Sequence, residues 1–293
     1  MAWLSVSFEL GALEATHAEE ACFALGASSV TFSDSRDDAV LEPRPGEVRL
    51  WPATRLQALF TAQIATPTLL QQLAAALPLP AADFTVTSVA DRAWEREWLR
   101  DFHAMRFGRR LWVRPAHEPV EATDAVVVEL DPGLAFGTGT HASTALCLEW
   151  LDALPAPPGR VIDYGCGSGI LGIAAARLGA AAVQAFDIDP QALLATRENA
   201  ARNGVGDRVQ VVAEAAALQP GADILLANIL AGTLVELTAE LCSLLRPGGR
   251  YVLAGILAEQ EQEVALAFAP WSHDVRRHAR RGEWVALQGS RTH

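Results

Sequence analysis

Lysine is absent from this chain of 293 residues, so arginine supplies all 23 of its lysine-or-arginine positions. Catalysis through a lysine Schiff base and phosphate binding by a P-loop lysine are therefore excluded. Cysteine is scarce as well, and the four cysteines lie far apart without any C-x-x-C pair. That spacing favours neither a disulfide framework nor a zinc site, so we expect buried free thiols and no bound metal.

Long uncharged apolar runs are also missing. The most apolar stretches, such as ILLANILAG, are interrupted within a few residues by a polar one, whereas a membrane helix needs about 20 apolar residues. The opening MAWLSVSFELGALEAT lacks the basic segment and the cleavage site of a signal peptide. We therefore expect a cytoplasmic protein without membrane contact. The net charge of −12 argues against a broad phosphate-binding surface and mildly favours a basic partner.

The first ninety residues carry the pattern of a small α+β domain. Period-two alternation predicts a strand over residues 2–10, and helical spacing predicts a helix over THAEEACFALGA with Thr16 as its N-cap. SSVTFSDS, EVRLW and DFTVTSVA are predicted as strands and TPTLLQQLAAAL as a helix, while ATRLQALFTAQI is compatible with either. The order β-α-β-β-α-β predicts a ferredoxin-like domain over residues 1–90.

A charged, tryptophan-rich segment follows at residues 91–110. Trp94 and Trp98 are four residues apart, so they would share one face of a helix, and we expect a helical linker here. Over residues 111–293, predicted strands alternate with predicted helices. This alternation predicts an α/β domain built on a doubly wound, mostly parallel sheet.

Two glycine-rich stretches stand early in that second domain, DPGLAFGTGTH at 131–141 and DYGCGSG soon after it. The latter follows a buried strand and opens a helix, so Gly165 presents bare backbone to a ligand above the carboxyl ends of the sheet. Gly167, Gly169 and Gly172 also fit the G-x-G-x-x-G spacing of dinucleotide-binding proteins. The glycines alone leave an NAD-dependent oxidoreductase open as an alternative.

Polar side chains end two further predicted strands. Asp187 ends one of them, where a carboxylate accepts hydrogen bonds from both hydroxyls of a ribose. The alternatives are a solvated turn residue or a helix cap, for which Asp189 before Pro190 is the better candidate. Asn228 ends another, where methyltransferases that modify nitrogen carry an Asn-led tetrapeptide; the alternative is a helix-capping Asn. Its amide can hold an amine and aim the lone pair. Together these residues favour S-adenosylmethionine over NAD.

The motifs LDPGLAFGTGTH, VIDYGCGSGILGIAAARLGA, DIDPQAL and ANILAG, in this order, resemble the bacterial family of methyltransferases that modify large-subunit ribosomal protein eleven, the PrmA type. The similarity extends over the whole chain. It implies a class I, Rossmann-like domain that binds S-adenosylmethionine, with contacts at Thr144, Gly165, Asp187 and Asn228. It also implies an N-terminal domain that recruits the free ribosomal protein, with methylation of its N-terminal α-amine and lysine ε-amines up to the trimethyl state.

The implied reaction is a direct displacement in which a neutral amine attacks the sulfonium methyl group. A lysine amine has a reference pKa of about 10.4, but a desolvating pocket and a nearby cation both favour its neutral form. We therefore expect no dedicated base, with Asn228 as the catalytic residue that orients the amine. His141 either relays a proton or makes a structural hydrogen bond.

Two segments keep open interpretations. In the loop at 131–144, Phe136 is expected to pack near the cofactor or the substrate methyls, while Gly137 and Gly139 let the loop close. Phe136 as ordinary core packing is the alternative. The basic run RRHARR at 276–281 leaves RNA open as an acceptor, against the interpretation as a solvated edge strand. The acidic net charge favours the second interpretation, without direct nucleic-acid readout.

Overall fold

The structure of the protein, a computed structural model, describes five stretches of the chain: residues 3–36, 50–61, 66–89, 103–130 and 140–292. The chain divides into two compact units, Met1–Ala93 and Trp94–His293. Each unit has its own sheet and its own buried core.

The N-terminal unit is a four-stranded antiparallel sheet with two helices. Its elements are β1 (Trp3–Glu9), α1 (Ala15–Ala24), β2 (Ser29–Asp34), β3 (Thr54–Thr61), α2 (Thr66–Ala76) and β4 (Thr85–Val89). The strands lie in the order β2-β3-β1-β4, and alternate residues of β3 are buried with apolar residues of both helices. The predicted ferredoxin-like arrangement is thereby confirmed.

Two local predictions in this unit are wrong. Leu50 and Trp51, the last two residues of the strand predicted at EVRLW, lie outside any strand, and the rest of that segment lies outside the described residues. Strand β3 begins at Thr54 instead, where the alternation of buried and exposed residues continues along its whole pairing with β1. Helix α1 is capped by Glu14 rather than Thr16, since the Glu14 carboxylate accepts a hydrogen bond from the backbone of the third residue after it.

The predicted helical linker at 91–110 is wrong where the structure describes it. Residues 90–102, with both tryptophans, lie outside the described part, and Met105–Phe107 forms β5. Strand β5 pairs antiparallel with β6 (Leu111–Arg114), and β6 pairs in parallel with β7 (Val126–Glu129). The pairing satisfies the backbone and buries Phe107, which outweighs the helical preference of the charged local sequence.

The remaining elements of the C-terminal unit alternate strands with helices. They are α3 (Ala142–Asp152), β8 (Arg160–Tyr164), α4 (Ile170–Arg177), β9 (Ala182–Phe186), α5 (Pro190–Arg202), β10 (Val209–Val212), β11 (Ala222–Asn228), α6 (Ala231–Glu236), α7 (Thr238–Leu244), β12 (Leu245–Leu257), α8 (Glu261–Phe268), β13 (Arg276–Arg281) and β14 (Trp284–Ser290). Their strands form a seven-stranded sheet in the order β10-β9-β8-β11-β12-β14-β13.

This large sheet is mostly parallel, because only β14 runs antiparallel to its neighbours. The prediction of a doubly wound sheet is therefore confirmed. Along the chain, the strands after β8 first add on one side of it and then, from β11, on the other. The carboxyl ends of β8 and β11 thus flank a topological switch point, where ligands bind in open α/β sheets.

Apolar residues cover both faces of the large sheet. One core cluster joins α3, α4 and α5 to the strands, and a second joins α6, α7 and α8 to the opposite face. Strand β11 lies between them, with Leu225, Leu226 and Ala227 fully buried. Such a strand, buried on both faces, is why ADILLAN has no polar alternation in its sequence.

The four cysteines are free and buried, as predicted. Within the described ranges, no helix combines the length and the apolar character needed to cross a membrane. The same ranges contain no cluster of three or more histidine, cysteine, aspartate or glutamate side chains that could hold a metal ion.

Candidate functional site

The glycine turn after β8 brings bare backbone to the switch point. The backbone N–H groups of Gly165 and Cys166 both donate to the carbonyl of Phe186 at the end of β9, at 2.8 and 2.9 Å. Gly165 has φ +76°, and a Cβ there would lie 2.2 Å from Cγ2 of Ile229. Only glycine meets both demands, so the turn packs directly against the segment that follows β11.

Asp187 lies directly after β9 and faces this turn. One carboxylate oxygen accepts the backbone N–H of Gly167 at 2.8 Å, and the other accepts that of Asp189 at 3.0 Å. The cap of α5 is Asp189, whose carboxylate accepts the backbone N–H of Gln191 at 2.9 Å. The interpretation of Asp187 as a helix cap is thereby wrong. Since a carboxylate offers about four acceptor positions, two remain for hydroxyl groups of a ligand.

Asn228 ends β11 and meets Thr144 from the first turn of α3. The Asn228 side-chain nitrogen donates to Oγ1 of Thr144 at 3.1 Å, although the two residues are 84 positions apart. Thr144 is only 2% exposed. Two of the predicted site residues therefore contact each other rather than lying side by side around a ligand.

A cavity of about 400 Å³ opens at these strand ends. Gly165, Asp187 and Asn228 line it together, whereas Thr144 is not among its lining residues. Another cavity, of about 170 Å³, lies at the opposite, amino ends of β8 and β9. Because the larger one coincides with the topological switch point, we take it as the ligand site.

Several apolar residues around this cavity were not found from the sequence. Tyr164 and Phe186 pack edge to face with ring centroids 5.0 Å apart, and the Tyr164 hydroxyl donates to Glu240 at 2.9 Å. Ile188 and Leu230 also line the cavity, and they are 89% and 55% exposed. Both side chains present apolar surface at the edge of the cavity. The available signal was an aliphatic residue directly after Asp187.

His141 caps α3 and contacts a residue from the far end of the chain. Its Nδ1 lies 2.7 Å from the hydroxyl oxygen of Ser143, and its ring packs edge to face on Trp284 with centroids 4.6 Å apart. Burial lowers the pKa of His141, which favours the neutral imidazole. The structural hydrogen bond is present, while proton relay stays a prediction. Phe136 and its neighbouring glycines lie outside the described residues.

Asp163 lies in β8, just before the glycine turn, and is hydrogen-bonded to the helix that follows the turn. Its Oδ2 accepts the backbone N–H of Gly172 at 2.7 Å, which ties the first turn of α4 to β8. Its Oδ1 has no hydrogen-bond partner among the described residues. Burial, opposed by the Gly172 hydrogen bond and assisted by the charge of Asp187, raises the pKa of Asp163 to about 7.

The basic run RRHARR forms the edge strand β13, and its charges are largely matched. Arg276 pairs with Asp274 at 2.9 Å, Arg281 pairs with Glu149 at 2.6 Å, and Arg277 pairs with Glu261. Carboxylates of the same unit therefore occupy these guanidinium groups. The arrangement favours the edge-strand interpretation over an RNA surface.

The position of the cavity decides the class of protein. It lies at the switch point of a sheet with one antiparallel strand, beneath a glycine turn and between an acidic residue and an asparagine at neighbouring strand ends. That arrangement defines a class I, Rossmann-like methyltransferase.

The chain belongs to the family described as ribosomal protein L11 methyltransferase (PrmA), whose sequence profile matches residues 2–292. A Methylococcus capsulatus protein named ribosomal protein L11 methyltransferase is 52% identical over 267 residues, which is 91% of either chain. A protein of the same name from Pseudomonas aeruginosa is 47% identical over 292 residues, 99% of either chain.

A solved structure adds to this comparison. The ribosomal protein L11 methylase of Lactobacillus delbrueckii subsp. bulgaricus superposes with a TM-score of 0.59 at 34% identity, covering 66% of this chain and 100% of that one. The family resemblance inferred from the motifs is confirmed. The NAD-dependent oxidoreductase alternative finds no support.

Proposed function

We propose that this protein transfers methyl groups from S-adenosylmethionine to the N-terminal α-amine and the lysine ε-amines of ribosomal protein L11, up to the trimethyl state. The observation that carries the proposal is Asn228, which borders an apolar-walled cavity at the switch point of the sheet. Relatives that bear the name of this activity are about half identical over nearly the whole chain, which supports the same substrate here.

The residues of the cavity fit the proposed cofactor. Bare backbone at Gly165 leaves room for close approach, the carboxylate of Asp187 keeps acceptor positions for ribose hydroxyls, and Ile188 offers an exposed apolar face for a flat ring. We assign these three residues and Asn228 to cofactor binding, and Thr144 to the same site through its hydrogen bond with Asn228. The cofactor supplies an electrophilic methyl group on a cationic sulfur.

The protein itself must keep the substrate amine in its neutral form and fix the direction of the nitrogen lone pair. The side-chain nitrogen of Asn228 is turned toward Thr144, so its Oδ1 is the end of the amide that can accept an N–H of the substrate. An accepted N–H points the nitrogen lone pair away from Asn228 and fixes its direction. The apolar cavity walls disfavour an ammonium ion, and the product ammonium releases its proton to water before a further methylation.

The proposal places recruitment of the acceptor in the N-terminal unit and takes free ribosomal protein L11, in the cytoplasm, as the acceptor. Three paired arginines of β13 and a net charge of −12 support a protein acceptor rather than RNA. An acidic enzyme is also suited to a basic ribosomal protein, because opposite net charges speed their encounter.

Intact-mass measurement of purified L11 after incubation with enzyme and S-adenosylmethionine tests this function. We expect mass gains in whole methyl steps, and peptide mapping should place them on the N-terminal amine and on lysines. The enzyme has no lysine, so every methyl-lysine in the mixture comes from the substrate. A parallel reaction with assembled large subunits should be slower. Unchanged L11 together with methylated RNA would overturn the proposal.

A further inference from the structure

Thr196 lies in α5, outside the cavity, and contacts the glycine turn that follows β8. We infer that Thr196 is a positioning residue for the cofactor, whose hydroxyl fixes Gly167 and, through Gly167, the direction of the Asp187 carboxylate. The inference rests on the proposed function, in which Asp187 accepts the ribose hydroxyls. It deepens that function because it assigns the orientation of the carboxylate to a fully buried side chain.

Gly167 is held on both sides by the segment that follows β9. Its backbone N–H donates to Asp187 Oδ2 at 2.8 Å, and its carbonyl oxygen accepts the Thr196 hydroxyl at 3.1 Å. The same hydroxyl lies 3.3 Å from Sγ of Cys166, which is a weaker acceptor than a carbonyl. Gly167 and Asp187 line the cavity, whereas Thr196 is 0% exposed and is not among the lining residues. The Thr196 hydroxyl therefore acts on the ligand site through the turn.

The turn needs such a restraint because glycine has little conformational preference of its own. Gly165, Gly167 and Gly169 all have positive φ, at +76°, +54° and +81°. Glycine enters this region without a steric cost and leaves it equally readily. A hydrogen bond to the Gly167 carbonyl fixes the peptide unit after Gly167. It thereby limits rotation at the residue whose N–H holds Asp187.

Two contacts explain why a threonine suits this position. A Cβ at Gly169 would lie 2.8 Å from Cγ2 of Thr196, so the threonine methyl group packs directly against bare backbone. Because χ1 of a β-branched side chain is restricted, a methyl group placed there directs the hydroxyl at Gly167. Asn199, one helical turn later, donates its side-chain nitrogen to the carbonyl of Ser168 at 2.9 Å. One face of α5 thus holds two successive carbonyls of the turn.

The Asp187 carboxylate depends on this turn for its direction. Its two oxygens accept one backbone N–H each, from Gly167 at 2.8 Å and from Asp189 at 3.0 Å. Two fixed donors hold the carboxylate plane, so the remaining acceptor positions point in set directions. If the Gly167 N–H shifts, one donor is lost and the carboxylate can rotate about its terminal bond. Affinity then falls, because binding must fix a mobile group that was previously preorganised.

A second buried threonine provides a matched control. Thr238 in α7 is also buried in a helix, but its hydroxyl donates to the carbonyls of Leu234 and Val235, both at 2.9 Å. These three residues are not among those that line the cavity. Replacing Thr238 by valine therefore removes a buried hydroxyl of the same kind without touching the glycine turn.

The first test measures the affinity for S-adenosylhomocysteine by titration calorimetry in the full chain. For Thr196→Val, which keeps the shape of the side chain, we expect the dissociation constant to rise by about tenfold, the worth of one hydrogen bond. Thr196→Ser keeps the hydroxyl and should stay within about threefold of the unmodified protein. Thr238→Val should leave the dissociation constant unchanged, although its melting temperature should fall as much as that of Thr196→Val.

The second test uses a double-mutant cycle with Asp187→Ala to ask whether Thr196 acts through Asp187. Independent effects would multiply, so a loss of about thirtyfold in Asp187→Ala and about tenfold in Thr196→Val would give about three-hundredfold together. If Thr196 orients the Asp187 carboxylate, the double variant should bind within about twofold of Asp187→Ala alone. A purely structural role of Thr196 predicts the same loss in both backgrounds.

Three results would overturn the inference. One is a dissociation constant within about twofold of normal in Thr196→Val. The others are an equal loss of affinity in Thr238→Val and full multiplication of the two effects in the double variant. If Thr196→Val shows no melting transition, Thr196→Ala takes its place in both tests, and Thr196→Ser must still bind normally.

Failure of the proposed function gives a different result. If Asp187 does not hold the cofactor, Asp187→Ala binds S-adenosylhomocysteine as tightly as the unmodified protein. If L11 is not the acceptor, the unmodified enzyme leaves L11 unmethylated, while the calorimetric comparison of the Thr196 variants still decides their role.

Discussion

The two ends of the neighbouring strands β8 and β11 differ in what their polar groups contact. At the amino end, Asp223 accepts the backbone N–H of Arg160 at 2.7 Å and the guanidinium of Arg246 at 2.6 Å, beside a cavity of about 170 Å³. At the carboxyl end, Asp187 and Asn228 border a cavity of about 400 Å³. Asp223 at the first end is hydrogen-bonded to groups of the chain itself, whereas Asp187 and Asn228 at the second end border an open cavity.

Two aspartates show the same contrast in their pKa values. Burial raises the pKa of Asp163 near the carboxyl end of β8 to about 7. The hydrogen bond from the Arg160 backbone, with help from Arg246, lowers the pKa of Asp223 at the amino end of β11. Of these two aspartates, the one whose charged form is stabilised lies at the amino end of β11, and the one whose charged form is disfavoured by burial lies near the end that borders the cavity.

The largest effect should come from Asn228→Ala at the carboxyl end. Loss of the group that orients the amine is expected to lower kcat by about a thousandfold, comparable to removal of a preorganised transition-state contact. Affinity for S-adenosylhomocysteine should fall far less, and the melting temperature should stay close to that of the unmodified protein. The measurement is single-turnover methylation of L11. A kcat within about threefold of normal would remove Asn228 from the mechanism.

The next effect concerns the opposite pKa shifts of Asp163 and Asp223. Because the folded-state pKa of Asp163 is raised, stability should be lost as pH rises from about 4 to about 7, by on the order of 4 kcal/mol. Asp163→Asn should remove that slope in denaturant unfolding measured across this range.

Asp223→Asn is the matched control at the other end of the sheet. Its folded-state pKa is lowered, so its contribution is present above the unfolded-state pKa and is lost as pH falls through the folded-state value. The variant should therefore lose stability at neutral pH and converge with the unmodified protein in acid. Parallel pH profiles for the two variants would contradict the contrast between the ends.

The smallest effect should be that of Asp187→Ala, which we expect to weaken S-adenosylhomocysteine binding by about thirtyfold through loss of charge-assisted hydrogen bonds. The control is Asp189→Ala, two residues later, which removes the α5 cap and should cost about 1 kcal/mol of stability without changing affinity. Titration calorimetry measures the affinity of each variant for S-adenosylhomocysteine, and thermal unfolding measures the change in stability. NADH should bind neither the variants nor the unmodified protein. Equal loss of affinity in the two variants would point to a disturbed turn instead.

The sequence predicted the parts of the site that end strands. Gly165, Asp187 and Asn228 each follow a buried apolar run, and parallel strands bring such ends together, so their proximity followed from the chain pattern alone. Trp284 could not be found, because it enters through β14, the antiparallel strand that closes the sheet. The pairing of Thr144 with Asn228 spans 84 positions and depends on how α3 packs, which no local pattern specifies.

The errors in the fold prediction have a related cause. The strand at EVRLW and the helical linker over residues 91–110 were inferred from the local sequence, whereas in the described residues β3 pairs with β1 and Met105–Phe107 pairs with β6. Long-range pairing overrides local preference when it buries apolar side chains. Phe136 lies outside the described residues, so its expected packing in the loop at 131–144 stays a prediction.

Ile229 sits between two strands that are far apart in the chain. A Cβ at Gly165 would lie 2.2 Å from its Cγ2, and one at Gly255, which has φ +79°, would lie 2.3 Å from its carbonyl oxygen. Ile229 is thus in close contact with both the turn that follows β8 and strand β12. The wall of the cavity at Ile229 therefore forms only where β8, β11 and β12 lie side by side, so we expect cofactor binding to require all three of these strands.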